Sequence, residues 1–460
     1  MDAPETDYQG FHHPKGVFYT AEKKNQIYYI CGFTICLFAL EFFLHNIILD
    51  FSTFLQLNLD PNGTYCWIWN PLAYFENYEG ILLLAAFVAN CYNLFSSISW
   101  IFLSTFGIFC NGVLKLVYLD PRPFWVDERL FPCICTANYG NPSTTGLNSF
   151  LMFINIYKIY SIRKHQVSPL RRWTVLSICC LGIFCMSLSR FMGNVHSLNQ
   201  IFFGYGIAYI IIYCYYDILE IDYFKQDVFR NIMRYNRFLI IATALLGLNF
   251  FVNIIHTFVN FENPDEWLDM ITKHCKYIPF NFFDNESYQK SSVMIISYTA
   301  IICLYIELRF VHKNNLKQFY LFNQNKQRRW NNTPWWKTLI RIAISTTFCI
   351  VYLRNFFGST SQNLAVFLLV GTIIPMIVMG TWIYLGNKFF CQLLGLNNNY
   401  IEEEVRKISP ISFLSVEPED TVRLKPQESG RKGSKDDASK MSFNEEIEKL
   451  KSGYFKEDEQ

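Results

Sequence analysis

Stretches of about twenty predominantly apolar residues, the length an α-helix needs to cross a hydrocarbon core about 30 Å thick, recur along most of this chain. That pattern leaves few choices of fold. The expected class is all-α, a polytopic bundle of transmembrane helices. Composition agrees: 17% of the residues are charged and 18% aromatic, against a charged fraction of about 25% in soluble domains.

The expected spans are 27–48, 81–97, 99–119, 147–162, 173–188, 200–216, 238–255, 293–308, 338–356 and 364–385, about ten in all. The stretch 81–119 is too long for one ordinary crossing and is divided near Ser96, Ser97 and Ser99. Loop charge supports the division. No Lys or Arg lies between Asp50 and Gly80, whereas Arg163, Lys164, Arg171 and Arg172 crowd one loop. Lys225, Arg230, Arg234 and Arg237 fill a second, and Lys313, Lys317, Lys326, Arg328, Arg329 and Lys337 a third. With this number of spans the basic loops and both termini share one face, which the positive-inside rule makes cytosolic. An integral protein of the endoplasmic reticulum or plasma membrane is expected, its first span acting as an uncleaved targeting signal because the segment before it is polar.

Four regions follow. A cytosolic arm (1–26) precedes a six-span core (27–217), four additional transmembrane helices with their loops (218–396) and a charged tail (397–460) too poor in aliphatic residues to fold alone, apart from a short amphipathic stretch near 443–450. The acceptor sequons at Asn62 and Asn285 fall on the non-cytosolic face, and the one at Asn331 falls on the cytosolic face, where it stays unmodified. Cys66, Cys133, Cys135 and Cys275 lie in non-cytosolic loops, where thiols can oxidise, while most other cysteines sit within spans as small apolar residues. No cysteine pair has metal-site spacing with histidine, so no metal is expected.

Three motifs share one rim of this topology: KLVYLDPRPFW (115–125), NPSTT (141–145) and SRFMGNVHSLNQ (189–200). Lys115 and Arg122 are two helical turns apart, on one side, before Pro121 and Pro123 end the helix. His196 and Gln200 are one turn apart, so the glutamine oxygen can take the ring N–H of His196 and leave the other nitrogen free as a nucleophile. Arg122 and Arg190 offer two guanidinium forks for phosphate oxygens, and Lys115 a point charge.

Through Lys115, Arg122, Pro123, Pro142, Ser143, Ser189, Arg190 and His196 the chain resembles the type-2 phosphatidic acid phosphatase superfamily, which includes vanadium haloperoxidases. The runs 122–125, 131–135 and 140–143, with Gln200 where most members carry aspartate, resemble glucose-6-phosphatase in particular. The pair Ser143 and Thr144 resembles sphingosine-1-phosphate phosphatases. The resemblance spans roughly residues 80–217. It implies phosphate binding by Lys115, Arg122, Ser143 and Arg190, attack by His196 to form a phosphohistidine, and no metal or cofactor, the cationic side chains offsetting the transferred charge. It also implies a histidine at position 145 as the leaving-group acid, where this chain has Thr145. A hydroxyl is too weak an acid for that role, and losing a general acid costs about 10²- to 10⁴-fold.

Three substitutes for that acid can be named: Asp127 or Glu128 on the rim; His45, His256 or His274 near it; or a leaving group good enough to need no acid, such as a diphosphate. The leading expectation is a membrane phosphatase acting on a phosphorylated lipid or sugar at the lumenal or extracellular face. The alternatives are an impaired relative that binds phosphorylated ligands without efficient turnover, and a transporter with Glu41, Glu307, Arg341 and Arg354 as pathway charges. The lipid bilayer is the one obligatory partner; no nucleic-acid partner is expected, and no protein partner is specified.

Overall fold

In the computed structural model the described residues are 21–69, 94–136, 138–163, 168–218, 265–275, 293–306, 334–356 and 373–396, with isolated positions within 80–87, 244–251 and at 370. All regular structure among them is helical. The spans expected at 81–97 and 238–255, most of the basic loops, His256, Glu307, the sequons at Asn285 and Asn331, and the tail lie wholly or largely outside them. The described residues all lie within one compact unit, Met1–Ile401.

The first helix, α1 (Ala21–Leu59), is 39 residues long, about 58 Å at 1.5 Å per residue. It therefore exceeds the roughly 30 Å hydrocarbon core and carries its C-terminal turns to the rim where the motifs gather. Phe42 and Phe43 stand 80% and 74% exposed, a surface suited to lipid rather than water. α2 (Leu94–Tyr118) follows, then the single turn α3 (Pro123–Val126), α4 (Thr144–Arg163), α5 (Pro169–Met192) and α6 (Leu198–Tyr213). A π-helical turn, Cys214–Ile218, extends α6. Beyond it are α7 (Asp265–His274), α8 (Met294–Ile306), α9 (Trp335–Phe356), α10 (Ile374–Thr381), the π-helical turn Trp382–Gly386 and α11 (Asn387–Leu393).

The division expected at Ser96, Ser97 and Ser99 is corrected: α2 runs through all three without a break. The physical reason is that a serine inside a buried helix needs only a partner, and Ser97 has one, its hydroxyl lying 3.0 Å from the Tyr384 phenol. Four stretches are long and apolar enough to cross a membrane, Lys24–Leu59, Trp100–Val126, Pro169–Met192 and Leu198–Ile218, which marks an integral membrane protein.

α4 is the hub, packing on α2, α5 and α6, while α1 lies along α6. The α4–α6 approach is close enough to require small residues. A Cβ on Gly204 would stand 2.8 Å from the Ser143 carbonyl oxygen, and one on Gly146 2.9 Å from that of Ile201. Leu103, Leu147, Leu151, Phe203 and Ile207 fill the space between these helices. A separate apolar core joins α8 and α10 to α2 through Ile101, Ile108, Ile296, Ala300, Met376 and Met379.

Two disulfides pin the motif-bearing rim, Cys66–Cys133 and Cys135–Cys275. They pair the four cysteines expected in non-cytosolic loops. The second fastens α7 to the loop after α3, where Trp125 and Trp267 also meet with ring centroids 6.0 Å apart.

Candidate active site

His196 sits in the turn between α5 and α6, at the end of a helix whose last turns carry Arg190. Its ring is buried and held at both nitrogens: Nδ1 lies 3.1 Å from the Gln200 side-chain oxygen, and Nε2 lies 3.2 Å from Nη1 of Arg122. Gln200 Nε2 donates to Asp120 Oδ2 and to the Pro121 carbonyl, both at 2.9 Å. Its oxygen is thus the acceptor, which makes Nδ1 of His196 the donor and leaves Nε2 with a lone pair. Burial, followed by the positive charges of Arg122, Lys115 and Arg190, holds the imidazole pKa well below its ordinary value. The ring is therefore neutral at physiological pH.

Gly140 is what lets Gln200 take this position, since a Cβ there would lie 2.3 Å from the glutamine Nε2. Gln200 also occupies the first turn of α6, where its oxygen accepts the Ser197 N–H at 3.3 Å.

Backbone carbonyls hold Arg122 and Lys115, and a side-chain hydroxyl holds Arg190. Arg122 Nε donates to the Asn138 carbonyl at 2.7 Å and Nη1 to the Val195 carbonyl at 3.1 Å, while Nη2 bonds the Asn138 side-chain oxygen. Lys115 Nζ bonds the Tyr139 carbonyl. Arg190 Nε donates to the Thr145 hydroxyl at 3.0 Å. Ser143, just ahead of α4, donates its N–H to the Gln200 carbonyl at 2.9 Å, and its hydroxyl accepts the Gly146 N–H at 3.3 Å. Lys115, Arg122, Ser143, Thr145, Arg190, His196 and Gln200 are thus brought together and are all buried.

The family model of the PAP2 superfamily matches residues 96–222. No curated protein and no solved structure matches the chain. Members of that superfamily are generally phosphatases, and the match covers less than half of this chain. The PAP2-matched segment starts within α2 and ends just past α6, so it contains every motif residue, whereas α1 lies outside it.

The candidate acids fall in different places. Asp127 bonds Arg129 at 2.7 Å and Glu128 bonds Lys273 at 2.6 Å, and these partners lower both carboxyl pKa values. A carboxyl held ionised is a poor proton donor. His274 lines a cleft of about 540 Å³ with Leu57, Pro61, Asn62, Glu128, Arg129 and Phe131. That cleft opens on the same rim but is lined by none of the seven site residues. His45 lies between Glu41 and Asp120, behind Gln200 as seen from His196.

Several participants escaped the sequence reading. Asn138 binds Arg122, and Asn111 braces the second motif by donating to the Pro142 carbonyl at 2.8 Å and accepting from the Thr144 hydroxyl at 2.7 Å. Gln56 of α1 donates to the carbonyls of Phe191 and His196, at 2.8 and 3.0 Å. Ser52 accepts the Leu198 N–H at 3.0 Å. A signal existed for the α1 residues. Glu41, His45, Ser52 and Gln56 fall within about 60° of one another at 3.6 residues per turn, one polar stripe on an otherwise apolar helix.

Proposed function

We propose that the chain is an integral membrane phosphatase that hydrolyses a phosphomonoester or diphosphate, on a lipid or a sugar, through a phosphohistidine at His196. The observation that carries the reading is the imidazole whose tautomer Gln200 fixes, with the Nε2 lone pair turned to Arg122 and the buried cations Lys115 and Arg190 close enough to act on the ring. Nε2 attacks phosphorus and the bond to the leaving oxygen breaks. Lys115, Arg122 and Arg190, with Ser143, hold the equatorial oxygens. Water then attacks the phosphohistidine and releases phosphate. Arg122 exchanges its contact with His196 for one with the phosphoryl group, which a fork of five donors permits.

The two disulfides support placing this rim on the lumenal or extracellular side, since such bonds persist in oxidising compartments. The wider architecture proposed is about ten spans, with a six-helix core at 27–217, an added bundle at 218–396 and cytosolic segments at 1–26 and 397–460. The Gln200–His196 contact supports the likeness to glucose-6-phosphatase.

One observation favours a second reading, a phosphate binder with little turnover. The hydroxyl of Thr145, where a leaving-group acid is expected, accepts a hydrogen bond from Arg190 and so serves to orient that cation. Phosphate release by the purified protein from a diphosphate and from a monoester decides between them. Release that is faster from the diphosphate, blocked by vanadate and lost in His196→Ala supports the phosphatase. No release from wild type, with release gained on Thr145→His, supports the binder.

A further inference from the structure

A neutral glutamine behind the nucleophile raises a charge problem. When Nε2 bonds phosphorus while Nδ1 keeps its proton, the imidazole becomes cationic, and an amide oxygen stabilises that charge less well than a carboxylate does. The missing negative charge lies one residue further back. Gln200 Nε2 donates to Asp120 Oδ2 at 2.9 Å. The other oxygen, Asp120 Oδ1, faces His45 Nε2 at 3.2 Å, and His45 Nδ1 faces Glu41 Oε1 at 3.1 Å. Glu41 Oε1 also accepts from Asn141 at 2.6 Å and from Asn199 at 3.2 Å, and Asn199 Nδ2 lies 3.0 Å from His45 Nδ1. Glu41 and Asp120 are 7% and 6% exposed. Two carboxylates sharing one imidazole proton leave a net negative charge, whichever of the three groups carries that proton. In surroundings of low dielectric such a charge is felt across one intervening amide.

We infer that Asp120, His45 and Glu41 are positioning residues, a continuous chain running from α1 through Gln200 to His196 that locks the glutamine amide and supplies the negative charge a carboxylate at position 200 would otherwise supply. The inference rests on the phosphatase reading and extends it to α1, outside the PAP2-matched segment. It assigns these groups no contact with substrate. It also removes His45 from the candidates for the leaving-group acid, because Gln200 and Asp120 stand between it and the attacking nitrogen.

Asp120→Asn removes the carboxylate that touches Gln200 and leaves the remaining negative charge on Glu41, beyond His45, while the amide can still accept from Gln200 and donate to a neutral His45. Vanadate binds a nucleophilic histidine covalently and makes its ring cationic, whereas inorganic phosphate leaves the ring neutral. The full-length protein in detergent should bind vanadate about ten- to a hundredfold more weakly in Asp120→Asn, the scale seen where outer partners of a histidine are removed. Its affinity for phosphate should hold within about threefold, and kcat should fall with KM kept, because the charge acts on the transition state and not on the ground state. Glu41→Gln, which leaves the cluster without net charge, should give the same pattern with a smaller loss. The double variant Asp120→Asn/Gln200→Glu exchanges carboxylate and amide in place. It should recover vanadate affinity in part, because the Pro121 carbonyl loses its donor.

Equal weakening of vanadate and phosphate, no weakening at all, or no recovery in the double variant overturns the inference and leaves the phosphatase reading standing. A wild-type protein that binds no vanadate and releases no phosphate overturns that reading, and the inference with it.

Discussion

The rim around His196 and the inward face of the bundle of α8, α9 and α10 are both buried, yet they are held in different ways. At the rim nearly every contact that matters is a hydrogen bond between segments distant in sequence: Gln56 to the His196 loop, Arg122 to Asn138 and Val195, Gln200 to Asp120. In the bundle the contacts are apolar, with Ile296, Ala300, Met376 and Met379 wholly buried. Polar links to α2 include Thr105 to Ser297 at 2.6 Å and Ser97 to Tyr384 at 3.0 Å. Hydrogen bonds fix direction and apolar packing fixes distance. A site that must aim one nitrogen at one phosphorus needs the first, and a scaffold in lipid can be built from the second.

The contrast breaks if a rim variant unfolds the protein or a bundle variant spares the fold and removes chemistry. The largest expected effect is in His196→Ala, where phosphate release falls to background, on the order of 10⁴-fold or more, while vanadate binding is lost and the melting temperature in detergent stays near that of wild type. Next is Asn138→Ala, which removes the side-chain oxygen aiming Arg122. Release should fall about tenfold or more, expressed mainly as a raised KM. Met379→Ala should do the reverse, costing about 2 kcal/mol of stability with little change in KM. Its cost sits near the low end for a buried methionine, because lipid removes the transfer term and leaves the cavity. A rise in KM in Met379→Ala larger than that in Asn138→Ala would sink the comparison.

How much of this was legible beforehand follows from the kind of force involved. The long apolar runs announced the helices, and α5, α6 and α9 lie where expected because length and hydropathy are local properties, whereas α1 runs on to Leu59, beyond the end expected at residue 48. The motif residues converge because the chain leaves α2 and enters α4 at the rim where a short turn joins α5 to α6. The serines in α2 misled because a hydroxyl reads as a loop until its partner, Tyr384, is known. Asn138, Asn111 and Gln56 were invisible for the same reason, each an ordinary polar residue whose role is set by a partner elsewhere in the chain, the Arg122 guanidinium for Asn138 and backbone carbonyls for the other two. Asp120 stood inside the first motif yet was passed over, since its importance lies in Gln200, distant in sequence. Glu41 and His45 were noticed singly, one as a deep charge and one as a spare acid. Their shared stripe on α1 carried the connection.

The smallest expected effect tests the electrostatics of the rim most directly. His196 is neutral in the folded protein because burial and three cations depress its pKa, whereas in the unfolded chain it titrates near 6.5. Below that value the unfolded state takes up a proton that the folded state refuses, so stability is complete above pH 6.5 and is lost as pH falls beneath it. Every other titrating group is common to wild type and His196→Gln, so the difference between their melting curves isolates this one. From pH 7.5 to 5.5 the wild-type melting temperature should drop further than that of the variant, with the two differing by a constant above pH 6.5. Parallel curves throughout would mean that the imidazole takes up its proton in place, which the positive charge of Lys115, Arg122 and Arg190 around it opposes. A bundle substitution such as Met379→Ala, in the apolar core of α8 and α10, should shift the whole wild-type curve without changing its slope.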